Sequence, residues 1–204
     1  MGEESLNKKD FLKLCKAIEI LIFRHSTVLK RDAKVLEGVF YQMINDLREG
    51  KSITGILENF KKQEAMKAEK QFEIAFAEFV TTTHKVARYV LWKIEEDMSG
   101  KKQAGLDWDS ITLEHILAEK LDWDGRDEYL EWLGNLTLLS PEFNNKAGNR
   151  SFKEKRIKVY KNDKRVKITQ DLMKYKDFTK DTIINRQKEL AKSAERIWSS
   201  KNII

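Results

Sequence analysis

Ile111–Lys120, ITLEHILAEK, and Glu131–Arg156, EWLGNLTLLSPEFNNKAGNRSFKEKR, decide how this chain of 204 residues is read. The first run sets Glu114 and His115 among apolar and β-branched neighbours. Twenty positions after His115 comes Asn135, at the head of a second apolar run, Leu136 to Leu139. Nine positions further on comes Asn144, just before a basic segment with helical spacing. The pattern predicts a strand, a loop, a second strand or turn, and then a helix. An acid, an imidazole and an amide would then converge on one small site.

A lone Glu-His pair is better read as a buried structural histidine. The asparagine spacing changes that reading. An amide lodged between Gly134 and Leu136 must hydrogen-bond locally or lose its solvation without return. Metal-dependent phosphodiester hydrolysis uses just these residue types. An imidazole near neutral pKa takes a proton from water. A hard cation on oxygen ligands stabilises charge growing on the phosphate and the leaving oxygen. Glu114 and Asn144 would supply the oxygens and His115 the base. Asn135 would brace the loop and hold the histidine ring.

The ordered string EHI…LGNLTLL…N…N…F…K resembles the ββα-metal, or HNH, nuclease finger. It is more similar still to the C-terminal nuclease domain of the GmrSD family, type IV, modification-dependent restriction systems. Related domains occur in other phage-defence proteins, one of which senses phosphorothioate DNA. Arg88–Glu96, RYVLWKIEE, and Ile184–Trp198, INRQKELAKSAERIW, extend the resemblance to roughly Phe11–Trp198. Family members often read EHILP, and Ala118 stands where that proline would be.

The resemblance implies a mainly α (α+β) fold, a helical bundle lobe with an inserted ββα-metal finger. It implies a bacterial, cytoplasmic DNA endonuclease of a restriction and antiviral defence system, with Mg²⁺ or Mn²⁺ on Glu114 and Asn144. His115 would activate water, with Asn135 beside it. Lys153, Lys155, Arg156 and Arg186 would contact double-stranded DNA, modified or not. For Arg186, packing or a salt bridge is an equal expectation, and Asn149 is either structural or a ligand. A single finger cuts one strand, so nicking is the default. Full-length members usually carry an N-terminal ParB-like, nucleotide-hydrolysing domain. Nothing in this sequence matches it, so the expectation is a separate subunit or a fragment. The alternative function is an inactive finger that binds DNA or docks a partner. A third reading is an RNA-directed nuclease or RNA-binding protein.

Charged residues at 35% and hydrophobic ones at 41% are an ordinary balance for a folded, water-soluble domain. No apolar run approaches the ~20 residues of a membrane helix. MGEESLNKKD is too polar for a signal peptide, and Leu6 stands where a myristoylation motif needs serine or threonine. Cys15 is the single cysteine, which excludes a disulfide framework and a Cys-rich zinc site. The net charge of +6 is concentrated late in the chain. Lys146 to Lys188 holds fifteen Lys or Arg against five Asp or Glu, a balance that suits a polyanionic substrate. A solvated lysine-rich face explains the same charge without one.

Residues 1–105 are expected to form the helical lobe, 106–160 the finger, and 161–204 a basic segment with a helix packed on the finger. Asn7 or Asp10 caps a first helix. Leu36, Val39, Phe40, Met43, Ile44 and Leu47 line a second, stopped by Gly50. Ser52 caps a third, and KKQEAMKAEKQ reads as a charged link. After a break at Val80–Thr83, a helix runs from about His84 to Met98, and Ser99–Lys102 closes the lobe. Arg24, Lys30, Arg31, Lys85 and Arg88 are candidates for a DNA-facing edge, with plain solvation the better reading. His25 and His84 read as helix-end or packed histidines. Trp108, Trp123 and Trp132 read as core for the finger rather than base-stacking platforms. Asp122, Asp124 and Asp127 lack calcium-loop spacing and read as an exposed loop before a helix near Arg126. One helix should carry Asn149, Phe152, Lys155 and Arg156. Val159–Thr169 reads as an excursion or short hairpin, and a last amphipathic helix follows Asp181.

Overall fold

The computed structural model describes residues 6–100 and 107–203. The Met1-Gly2 terminus, Lys101-Lys102 and the boundary drawn at 105–106 lie outside the described residues. Two compact units are present, one comprising residues up to Phe76 with those from Ala194 onward, the other Ala77–Ser193. The fold is mainly α with one small sheet.

In the first unit, α1 (Lys8–Ile22) starts where the Asn7 side chain accepts from the Asp10 backbone N–H. It widens into a π turn at Phe23–Val28. There follow α2 (Lys34–Arg48), α3 (Ile53–Lys61, capped by Ser52), α4 (Glu64–Lys67) and α5 (Glu69–Ala77). The charged link expected at KKQEAMKAEKQ is therefore mostly helix, since Ala65 and Met66 are buried and hold it to the core. That core is aromatic, with Phe23 stacked on Trp198 at 4.1 Å between ring centroids. Arg24 is not on an exposed edge. It is fully buried, and its guanidinium donates to Ala65 O (2.8 Å), Trp198 O (3.1 Å) and the Glu69 carboxylate (2.8 Å). His25 is packed, its Nε2 at 2.8 Å from Asp32 O.

The second unit is built on an antiparallel hairpin. It begins with α6 (His84–Met98). Strand β1 (Thr112–His115) pairs with β2 (Leu136–Leu139) in the register Thr112↔Leu139, Leu113↔Leu138, Glu114↔Thr137, His115↔Leu136. Between the strands lie α7 (Arg126–Tyr129) and a tight turn, Leu133–Asn135. Beyond β2 come α8 (Pro141–Ala147), α9 (Phe152–Lys155, widening through Arg156–Tyr160), α10 (Lys167–Gln170) and α11 (Lys180–Ile197).

An isolated two-stranded hairpin is marginal in water. Here α6 and α8 pack on both strands and α10 on β2, so every residue of β2 is buried. That coverage explains why β2 reads as an unbroken apolar run instead of an alternating one. Ile116, Leu139, Phe152, Tyr160, Phe178 and Ile183 form the core beneath it.

Two local expectations change. The single helix after β2 is two helices, and Asn144 lies within the first. Gly148, at φ 47°, ends α8 in a conformation that L side chains rarely adopt. A Ser151–Glu154 capping box then starts α9. No strand forms within Val159–Thr169, where the chain makes a turn at Asn162–Asp163 and enters α10. The two compact units divide near Phe76 and Ser193, and α6 packs on the hairpin of the second.

Candidate active site

The end of β1 carries Glu114 and His115, and pleating sends successive side chains to opposite faces. Glu114 turns inward, 7% exposed. Its Oε1 meets Lys155 Nζ at 2.7 Å, and the same ammonium donates to His115 O at 2.7 Å. Lys155 is fully buried. Burial pushes the Glu114 carboxyl up, against the pull of Lys155, and pushes the Lys155 ammonium down, against the pull of Glu114. Tyr160, fully buried nearby, has its hydroxyl pKa raised by the same loss of water.

His115 faces the other way. Its Nε2 lies 3.1 Å from Glu131 Oε1. The second oxygen, Glu131 Oε2, lies 3.6 Å from Nε2 of His84, the first residue of α6. The two imidazoles approach edge to face, with ring centroids 6.3 Å apart. A carboxylate thus stands between two histidines brought in by β1 and α6.

Asn135 braces the loop, as its position between two apolar runs requires. Its Oδ1 accepts from Leu117 N at 2.9 Å, and its Nδ2 donates to Leu130 O at 3.1 Å and Leu117 O at 3.3 Å. Its backbone carbonyl accepts from Ile116 N at 2.8 Å. Both strands of the loop that follows His115 are tied to this one residue. Asn135 does not touch the His115 ring, so it fixes the histidine through the backbone.

Asn144, halfway along α8, donates Nδ2 to Thr112 Oγ1 (2.7 Å) and Leu113 O (3.1 Å). A backbone carbonyl only accepts, so the amide nitrogen must face β1. That leaves Oδ1 as an acceptor with no hydrogen bond from any described residue. Asn149 is exposed, beyond the end of α8, and is not gathered with Asn144.

The four basic candidates separate by burial. Lys153 is exposed and loosely paired with Asp177 at 3.4 Å. Arg156 is half-buried and donates to Met173 O at 3.1 Å. Lys155 and Arg186 correct the expectation of DNA contact, because neither reaches solvent. Arg186, 2% exposed, donates one Nη1 to Leu133 O (2.9 Å), Gly134 O (2.9 Å) and Leu136 O (2.8 Å). Burial lowers its pKa to about 10. Beside it, Gln187 Oε1 accepts from Gly134 N at 2.7 Å. A Cβ on Gly134 would lie 2.2 Å from Ile183 O, so this close approach of α11 to the turn requires glycine.

Glu131 was not singled out by sequence, and His84, expected as a helix-end or packed histidine, is the first residue of α6. Glu131 sits four residues before Asn135, in the same run, and an acid so close to the bracing amide was the available signal. His84 carries no such local signal, since its partner lies across the fold.

Among the described residues no helix is long and apolar enough to cross a membrane. No curated protein matches the chain. Residues 66–193 match the family profile of the GmrSD restriction endonucleases, C-terminal domain. That stretch takes in the whole hairpin, α8, α9 and the helices that cover them, and it is more than half of the sequence. The chain therefore belongs to the family of GmrSD restriction endonuclease C-terminal domains.

Proposed function

We propose that the chain hydrolyses phosphodiester bonds of double-stranded DNA at the open end of the hairpin, one strand at a time, with His115 as general base. The observation that carries this reading is the set of contacts at His115. Its ring is held on one nitrogen by a carboxylate, it stands at a strand end pinned by Asn135, and Asn144 lies across the same strand with a bare carbonyl oxygen. An oriented imidazole is suited to take a proton from water.

The donor set suits a hard divalent cation, Mg²⁺ or Mn²⁺. Asn144 Oδ1 is an oxygen ligand without a protein partner, and Glu114 supplies a carboxylate. Among the described residues no cluster of three or more His, Cys, Asp or Glu is placed to hold a metal. Few protein ligands match the habit of Mg²⁺, which keeps several waters and takes one or two protein oxygens. Such a cation would supply charge neutralisation at the phosphate and the leaving oxygen. Glu114 would have to share its carboxylate with Lys155. The exposed Lys153 and half-buried Arg156 are the candidates for holding the DNA backbone.

That Lys155 contact also favours a second reading, an inactive finger that only binds DNA or a partner, because an ammonium already neutralises the carboxylate. The two readings part in a supercoiled-plasmid assay with Mg²⁺, Mn²⁺ or EDTA. Metal-dependent nicking that disappears in His115→Ala supports the nuclease. Cleavage by His115→Ala at the wild-type rate removes His115 from the mechanism, and binding without cutting in every condition favours the inactive finger.

A further inference from the structure

We infer that Glu131 is the positioning residue for this reaction, holding the His115 ring through Nε2 so that Nδ1 is the nitrogen left to meet water. His84 steadies the same carboxylate from α6. The inference rests on the reading of His115 as general base.

Glu131 Oε1 lies 3.1 Å from His115 Nε2. An ionised carboxylate only accepts, so Nε2 must carry the hydrogen. In a neutral imidazole the other nitrogen then holds a lone pair, and Nδ1 becomes the basic atom. A base whose second nitrogen is fixed by an acid is the arrangement by which a general base keeps its tautomer and ring orientation.

The carboxylate is itself well placed. Leu130 O accepts from the Asn135 amide, and Trp132 O accepts from Asn135 N at 2.8 Å. Trp132 also bridges to Val80 in an antiparallel β-bridge. Glu131 lies between two residues pinned in this way, so its backbone is not that of a free loop. Its Oε2 is buried and accepts no hydrogen bond, and His84 Nε2 lies 3.6 Å from it. His84 is 64% exposed along its side chain, and it stands on the first turn of a helix that packs on the hairpin.

The proton balance is simple. The attacking water gives one proton to His115 Nδ1 as its oxygen bonds to phosphorus and the bond from phosphorus to the leaving oxygen breaks. The imidazolium keeps its Nε2 proton, and Glu131 stabilises that positive charge without taking the proton.

The test uses the full chain labelled with ¹⁵N, with imidazole nitrogens read by long-range ¹H–¹⁵N correlation on the alkaline side of neutrality, beside plasmid kinetics. The expected result is the Nε2–H tautomer for His115 in the wild type and a tautomer mixture in Glu131→Ala. Turnover should fall about 10- to 100-fold in that variant with KM for plasmid unchanged. Glu131→Gln, whose amide oxygen still accepts from Nε2, should keep the tautomer and restore most of the turnover. His84→Ala should cost less than Glu131→Ala. A wild-type His115 carrying its hydrogen on Nδ1 would overturn the inference, as would a Glu131→Ala protein, folded by its amide spectrum, with unchanged tautomer and turnover. If no variant cuts DNA, the proposed nuclease function falls, while the tautomer still decides the role of Glu131.

Discussion

Lys155 shows how one side chain can decide what its neighbours are free to do. Its ammonium is wholly buried and bridges the Glu114 carboxylate and His115 O, closing the end of β1 from α9. Removing one member of a buried pair leaves the other charge uncompensated, at a cost of about 3–5 kcal/mol. Lys155→Met in metal-free buffer should therefore be strongly destabilised in urea unfolding. The loss should also acquire a pH dependence of definite sign. The Glu114 carboxyl is already raised by burial, and without Lys155 the main offset to that rise is gone, leaving the smaller pull of the His115 backbone N–H. An acid with a folded pKa above its unfolded one binds more protons in the folded state. Its contribution is complete below the unfolded carboxylate range and is lost as pH climbs through the folded value. Lys155→Met should thus lie closest to wild type in mild acid and fall away toward neutrality. Equal destabilisation at all pH values would mean that Glu114 stays ionised without its partner.

At the scale of elements, α11 acts as the splint for the approach to β2. Arg186 and Gln187, adjacent on that helix, bind the backbone of Leu133, Gly134 and Leu136, and Gly134 lets the helix come close enough to do so. Gly134→Ala should cost at least about 1–3 kcal/mol, because its Cβ meets backbone that cannot swing aside. Arg186→Leu should cost about 3–5 kcal/mol, since three buried carbonyls lose a charged donor. Thermal melts of both variants beside Lys153→Ala, which should melt like the wild type, check this ranking. The same residues show what a sequence can and cannot disclose. Asn135 was legible because an amide between apolar runs has to be satisfied locally. The hairpin was legible because β2 is a short run of buried residues. Lys155 was misread, and Arg186 left open between DNA contact and packing, because a long cationic side chain looks the same in sequence whether it reaches outward or inward. The contacts of Glu131 with His115 and His84 escaped because they join residues 16 and 47 positions apart through the fold.

The whole molecule carries a net charge of +6, but charge helps a nuclease only where it is exposed. In the Lys146–Lys188 segment, Lys155 and Arg186 are internal and cannot exchange a protein partner for a phosphate. Lys153 can. It lies at the surface with Asp177 as its ion partner among the described residues, and an exposed pair of that kind is worth little, so a phosphate oxygen can displace the aspartate. Each phosphate contact releases bound counterions, and the logarithm of the binding constant then falls linearly with the logarithm of salt. Fluorescence anisotropy with a short duplex in EDTA measures this without cleavage. Wild type and His115→Ala should share one steep slope, because the role proposed for His115 is in chemistry and not in binding. Lys153→Ala should weaken binding to every sequence alike and lower the slope by about one unit. Arg186→Leu, at a temperature where it remains folded, should keep the wild-type slope. A slope lowered by Arg186→Leu and untouched by Lys153→Ala would place the DNA on a different face from the one that α9 presents.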